Sequence, residues 1–173
     1  TKEINKKNKI TRETIDSQAF EESDIVVLSY RFSEKGIEEL EKLIKLLKDK
    51  NKKIILMSQT NEYKTYSGIY STEYDRFIKQ KIKDKSKVNR NDLIQLMEKL
   101  YLKKKDFKNL NNQLMKIASD QNIKFFSKQK YLCDENTAQC LVIDENAKKI
   151  FFDYGHLSLS GSKYVGRKLK EFE

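Results

Sequence analysis

Residues 24–58 constrain the fold more than any other stretch. "DIVVLS" (24–29) is a continuous apolar run of strand length. "SEKGIEELEKLIKLLKDK" (33–50) follows, with Ile37, Leu40, Leu43, Ile44 and Leu47 at the spacing of one helical face. "KKIILMS" (52–58) then repeats the strand signal directly after the helix. Strand, crossover helix and strand make a βαβ unit, which requires parallel strands and a right-handed connection. Strands that are apolar throughout, rather than alternating, are expected to be buried on both faces.

The rest of the chain extends this pattern. "QTNEYKTYSGIYST" (59–72) is polar and without period, and reads as a βα loop at the carboxyl end of a strand. That edge is where open α/β sheets bind ligands. Its tyrosines, Tyr63, Tyr66 and Tyr70, either stack on a sugar ring or simply pack the loop. Helices are expected over 73–84 and 90–119, the second carrying Leu93, Leu96, Met97, Leu100 and Tyr101 at helical spacing and breaking near Phe107. "IKFFS" (123–127) reads as a third buried strand, and "CLVID" with "KIFFD" as a small hairpin. A last helix starts with Ser160 as its N-cap and places Tyr164, Val165, Leu169 and Phe172 near one face. The chain has no proline and no stretch of linker composition. The expected architecture is α/β, a three-layer sandwich around a mostly parallel sheet, with residues 1–173 forming one domain.

Charge limits the function classes. The chain carries 36 Lys and Arg against 26 Asp and Glu, a net charge of +10. A nucleic-acid site would cluster those cations, and arginines especially, on one face. Here lysines are interleaved with acids in "KLIKLLKDKNKK", "KQKIKDKSK" and "YLKKKDFK", with no aromatic-basic ribonucleoprotein signature. Solvated helix faces explain the pattern, so no nucleic-acid partner is expected. A basic patch toward an anionic polysaccharide or a membrane surface is the other reading. No apolar run reaches the roughly 18 residues of a membrane span, and no leader opens the chain.

Chemistry concentrates in "FFDYGHLSLSGSKYVG" (151–166), which holds the only histidine. Asp153 ends an apolar strand, and His156 lies in the turn before a helix. A carboxylate there can hold the imidazole in one tautomer and stabilise its cation, leaving the second nitrogen to take a proton from a hydroxyl. By spacing alone, a surface turn with an ordinary histidine fits equally well.

In context, "DYGHLSLSGSKYVG" resembles the Asp-x-x-His block of the SGNH (GDSL-like) hydrolases, with Asp153 and His156 in the motif positions. The order Cys133, Cys140, "LVIDENAKKIFF", Asp153, His156, "LS", "LS", Gly161 is similar to the SGNH domains that follow the membrane acyltransferase-3 domain of bacterial O-acetyltransferases. "ESDIVVLSYRF" resembles the family's third strand. The resemblance implies O-acylation of a cell-surface polysaccharide by a Ser-His-Asp mechanism. It also implies an acyl donor, a glycan acceptor and a covalently linked membrane domain as partners, no cofactor, and a place on the periplasmic or extracellular side of a bacterial inner membrane.

The family's Gly-Asp-Ser nucleophile block has no counterpart before "DIVVLS". A strand, a serine-bearing turn and a helix would add roughly thirty or more residues upstream. The start at Thr1 agrees, so the chain is expected to be part of a longer protein that supplies the serine. Local substitutes are poor candidates. Ser158, Ser160 and Ser162 share the histidine's own turn, and Ser158 is expected to bond turn backbone. Ser29 and Ser58 end neighbouring strands, where a serine can equally bond backbone.

Arg31, with Ser29 and Tyr30, stands where related hydrolases place oxyanion-stabilising groups, and could hold developing negative charge or an acidic sugar. One of Tyr30 and Phe32 is expected in the core. Cys133 and Cys140 can close a small disulfide or remain free thiols; neither CxxC spacing nor neighbouring histidines suggest a metal. A carbohydrate esterase and a non-catalytic glycan- or partner-binding module on the same fold remain as other readings.

Overall fold

The structure is a computed structural model, and it describes residues 13–60, 62–63, 65–67, 71–83, 103–105, 107–133, 140–141, 143–144, 146 and 148–172. In chain order the elements are α1 (Gln18–Glu22), β1 (Ile25–Leu28), α2 (Glu34–Asp49), β2 (Lys53–Met57), β3 (Glu62–Tyr63), β4 (Thr65–Ser67), β5 (Ser71–Thr72), α3 (Glu73–Lys83), β6 (Lys103–Lys105), α4 (Lys108–Asp120), β7 (Lys124–Phe126), α5 (Lys128–Leu132) and α6 (Leu159–Phe172).

The sheet at the centre is parallel, in the order β1-β2-β7. Val26 pairs with Ile54 and Leu28 with Leu56 on one edge of β2, while Leu56 pairs with Phe125 and Met57 with Phe126 on the other. The side-chain period of 2 along β2 splits its apolar run between two cores. Ile54 and Leu56 join Leu28, Leu40, Ile44, Leu47, Leu114 and Ile117, so α2 and α4 cover that face. Ile55 and Met57 join Phe126, Leu132, Ile150, Phe151 and Val165 under α5 and α6. Helix, sheet and helix form the three layers expected of the sequence. Each fully buried aliphatic side chain of β2 contributes about 1.5–3 kcal/mol.

Two helices end alike. Asn51 and Asn122 take left-handed conformations (φ 57° and 48°). The amides of Lys52 and Ile123 reach back to Leu47 O and Ala118 O at 3.0 and 2.9 Å, and those of Asn51 and Asn122 to Lys48 O and Ser119 O. Both are Schellman closures, which satisfy the last carbonyls and turn the chain directly into β2 and β7. Ser33 caps the start of α2, its Oγ accepting from Gly36 N at 3.2 Å.

Several expectations are corrected. β1 is not buried on both faces: as an edge of the described sheet it leaves Val27 40% exposed. The 59–72 segment is more than a loop, because β3 pairs with β6 and β4 pairs with β5, both antiparallel. The β3–β6 pairing also replaces the end of the helix expected over 90–106; residues 84–102 lie outside the described residues. Phe107 does precede a helix, as the N-cap residue of α4, and is buried. Between "CLVID" and "KIFFD", where the hairpin is expected, the described residues form an antiparallel bridge, Ile143 with Lys149, closed by Asp144 Oδ1 accepting from Asn146 N and Lys148 N. The acid's own side chain satisfies these turn amides.

The N-cap of α6 is Ser158, not Ser160. The Ser158 hydroxyl accepts from Gly161 N at 3.1 Å and donates to Lys149 O. The Ser158 amide donates to Ile150 O at 2.8 Å. These bonds draw the first turn of α6 onto the 149–151 backbone so closely that a Cβ on Gly161 would lie 2.1 Å from Ile150 O. No side-chain rotation relieves a clash with backbone. Gly166, one and a half turns on, has nothing within 4 Å of its would-be Cβ. Gly161→Ala is therefore expected to destabilise the fold by about 2–3 kcal/mol. Gly166→Ala should stabilise it by about 0.5–1 kcal/mol through helix propensity and reduced unfolded-state entropy. Urea unfolding of the two variants checks the opposite signs.

Candidate active site

The turn between Phe151 and α6 builds the site. Phe151 bridges Leu157 in antiparallel sense, and Phe152 N donates to His156 O at 2.7 Å, so residues 152–156 form a closed loop. Asp153 sits inside it, 3% exposed. Its Oδ1 accepts from the amides of Gly155 and His156 at 3.0 and 2.8 Å, and its Oδ2 lies 2.8 Å from His156 Nδ1. Burial pushes the Asp153 carboxyl up, but the two amides and the His156 ring outweigh that and hold it below the usual carboxylate range. An ionised carboxylate only accepts, so Nδ1 carries the proton and Nε2 is left as the basic nitrogen. The His156 side chain is 71% exposed, with Tyr154 edge-on at 5.5 Å between ring centroids.

His156 lines a cleft of about 510 Å³ together with Ser29, Tyr30, Arg31, Gln59, Lys128 and Tyr154, among others. Ser29, Gln59 and Lys128 follow β1, β2 and β7 closely, so the cleft occupies the carboxyl ends of the parallel strands, as the topology demands. Arg31 Nη2 pairs with Glu62 Oε1 at 2.6 Å, and its guanidinium carbon stands 5.8 Å from the Tyr154 ring centre. Glu62 is nearly buried, whereas Arg31 is exposed. Their pairing links the loop after β1 to β3, and Thr60 Oγ1 donates at 3.5 Å to Gly155 O. Tyr30 is half-exposed and packs on Phe32, the buried member of the two, at 4.0 Å between ring centroids. Desolvation raises the Tyr30 phenol above its ordinary value.

Beneath the cleft lies a polar pair that periodicity could not reveal. Gln59 N donates to Asn111 Oδ1 at 2.8 Å, and Asn111 Nδ2 donates to Gln59 O and Gln129 Oε1, both at 3.1 Å. Gln59 Nε2 donates to Phe32 O at 2.7 Å. Two buried amides thus clamp the ends of β1 and β2 to α4 and α5. The hint in the sequence is Asn111 at a core-facing helical position, where burying an amide is costly unless it is fully bonded.

The serines divide clearly. Ser29 Oγ accepts from Lys128 Nζ at 3.3 Å, and Ser162 lines the cleft. Ser58 is buried, and its Oγ has no hydrogen-bond partner among the described residues. Among the described residues no serine hydroxyl lies within hydrogen-bond range of His156. By backbone, Tyr63 and Tyr66 lie on β3 and β4, while Tyr70 lies outside the described residues. Cys133 and Cys140 form a disulfide beside the end of α5, where Leu141 N donates to Leu132 O at 2.7 Å. A second cleft, about 320 Å³, opens at the amino ends of the strands among Lys48, Lys52, Lys53 and Lys124. Lys48 and Lys52 there bond the backbone carbonyls of Gln121, Glu21 and Ser23.

A parallel sheet sandwiched by helices, with a bonded Asp–His pair at its carboxyl edge, has the architecture of the esterase and acyltransferase folds. The chain belongs to the family of SGNH domains fused to AT3 domains, whose sequence profile matches residues 2–171. Comparison with curated proteins finds no significant match. Among solved structures, the chain is similar to the periplasmic domain of the lipopolysaccharide acetyltransferase of Salmonella ser. Paratyphi A, with 19% identity and a TM-score of 0.57. That match covers 95% of this chain and 60% of the other, so this chain spans less than two thirds of its length. A second similar structure, the acetyl xylan esterase AlAXEase, shares 16% identity at a TM-score of 0.50, covering 95% of this chain and 74% of that one.

Asp153→Asn places an amide opposite Nδ1 while keeping an oxygen for the two backbone donors. The imidazole is expected to shift its proton to Nε2. Because the chain has one histidine, ¹⁵N NMR of the ring reads the tautomer without assignment, and unchanged ring shifts would overturn the pairing. The depressed Asp153 carboxyl contributes stability above its unfolded value of about 3.9, and loses it as pH falls through the lower folded value. The stability gap between wild type and Asp153→Asn should therefore narrow below about pH 4.

Proposed function

We propose that residues 1–173 form one SGNH-like domain that acts on the extracytoplasmic side of a bacterial membrane and O-acylates a cell-surface glycan. The observation that carries this reading is the 2.8 Å bond from His156 Nδ1 to a buried Asp153 on the cleft at the carboxyl edge of the sheet. The disulfide favours an oxidising compartment. Among the described residues no helix is long and apolar enough to cross a membrane, so attachment falls to a linked AT3 domain of the kind this family is fused to.

The chain contains no Gly-Asp-Ser run, and in this reading a serine elsewhere in the protein is the nucleophile. Its oxygen attacks the acyl carbon as its proton passes to His156 Nε2, whose cation Asp153 stabilises. Collapse of the tetrahedral intermediate returns that proton to the leaving group and forms the acyl-serine. A sugar hydroxyl then gives its proton to Nε2, attacks the acyl carbon and releases the serine, which recovers the proton. Arg31, with Ser29 and Tyr30, lies where donors can meet the developing oxyanion or the sugar. Water in place of the sugar makes the same machinery an esterase, so transfer requires a cleft that excludes it.

A second reading, a glycan-binding module without catalysis, is favoured by the lack of a serine hydroxyl near His156 among the described residues. Treatment of the natural full-length protein with a fluorophosphonate separates the two. Catalysis predicts one adduct by intact mass, lost in His156→Ala, together with a fall in acyl transfer of roughly 10³–10⁴-fold in Asp153→Asn. No adduct, with glycan affinity unaltered in His156→Ala, would establish the binding module instead.

A further inference from the structure

Among the described residues the cleft holds a cation, Lys128, that no acid answers. Lys128 opens α5 half-buried, and among the described residues its Nζ donates only to the neutral Ser29 hydroxyl, at 3.3 Å. Among the described residues no carboxylate lies within ion-pair distance of it. Two acids at the site among the described residues are already engaged: Glu62 by Arg31 at 2.6 Å, and Asp153 by His156 and two amides. Burial lowers the Lys128 ammonium to about 8, so it remains mostly charged at neutral pH while its desolvation goes uncompensated. Buried charges in folded proteins are ordinarily paired. This one shares a cleft with His156 and Tyr154, where a ligand can supply the missing partner.

We propose that Lys128 determines acceptor specificity by binding a singly charged oxyanion on the sugar, a carboxylate or a phosphodiester, beside the hydroxyl presented to His156. The inference rests on the acyl-transfer reading for the identity of the ligand, and on the geometry of Lys128 for its charge. An arriving oxyanion forms a charge-assisted hydrogen bond with Nζ in place of the weaker bond to Ser29. Arg31 adds positive potential at the rim, but part of its charge is already answered by Glu62. A neutral sugar leaves the ammonium unpaired and forfeits that bond.

The test uses the full-length protein, with trigalacturonate, its neutral methyl ester and a glycerol phosphate trimer as probes, titrated by calorimetry into wild type, Lys128→Met and Lys128→Arg. Wild type should bind a charged probe about tenfold more tightly than the neutral ester, the worth of one hydrogen bond to a charged group. Lys128→Met should abolish the preference while retaining a cooperative melting transition, and Lys128→Arg should keep it. The charged probe that shows the preference identifies the source of the oxyanion. Equal affinities in wild type, or a preference that survives in Lys128→Met, would overturn the inference. A preference without any acyl transfer would leave the anion site standing and remove the acyltransferase reading; equal transfer to charged and neutral trimers would do the reverse.

Discussion

Strand β2 is the constraint on which the rest of the structure depends. It is hydrogen-bonded in parallel on both edges and covered on both faces, with Ile54, Ile55, Leu56 and Met57 all buried. Parallel pairing places the carboxyl ends of β1, β2 and β7 at one edge, and the helices on the two faces leave that edge as the open one. Everything chemical in the domain is hung from it. Ser29, Gln59 and Lys128 leave the three strands there, and the Asp153–His156 turn arrives from the side of α6.

The turn itself is rigid because α6 is pressed onto its base. Gly161 permits backbone contact with Ile150, and Ser158 bonds both the helix start and Lys149 O. Asp153 is then surrounded by three donors and cannot swing away from His156 without leaving two amides unbonded. The spacing from Asp153 to Gly161 is thus a packing requirement as well as a chemical motif. The imidazole so oriented keeps Nε2 directed away from the Asp153 contact, as the proposed proton transfer requires. Fold alone does not choose between transfer to a sugar and hydrolysis.

Much of this was legible in the order of residues. The βαβ unit, the third strand at 123–127 and the last helix follow from local periodicity, because each element buries a face that repeats at its own period. The Asp-x-x-His block was readable because its two members lie on one turn, three residues apart. Less legible were the pairings β3–β6 and β4–β5, whose strands of two or three residues are too short to carry a period. The amide clamp of Gln59 and Asn111 joins positions 52 residues apart, and Arg31 meets Glu62 only because the loop after β1 folds beside β3.

By itself, the sequence determined the parallel core, the order of its layers and the Asp-x-x-His turn, since these depend on local patterns or on neighbours in the chain. Tertiary structure alone decided which charges find partners. Arg31, read from the sequence as a holder of negative charge, is paired with a buried glutamate, whereas Lys128, one of many lysines in the chain, stands in the cleft with only a serine hydroxyl bonded to it among the described residues. The reason is that burial and ion pairing are set by what the fold brings within a few ångströms, and no spacing along the chain encodes that distance.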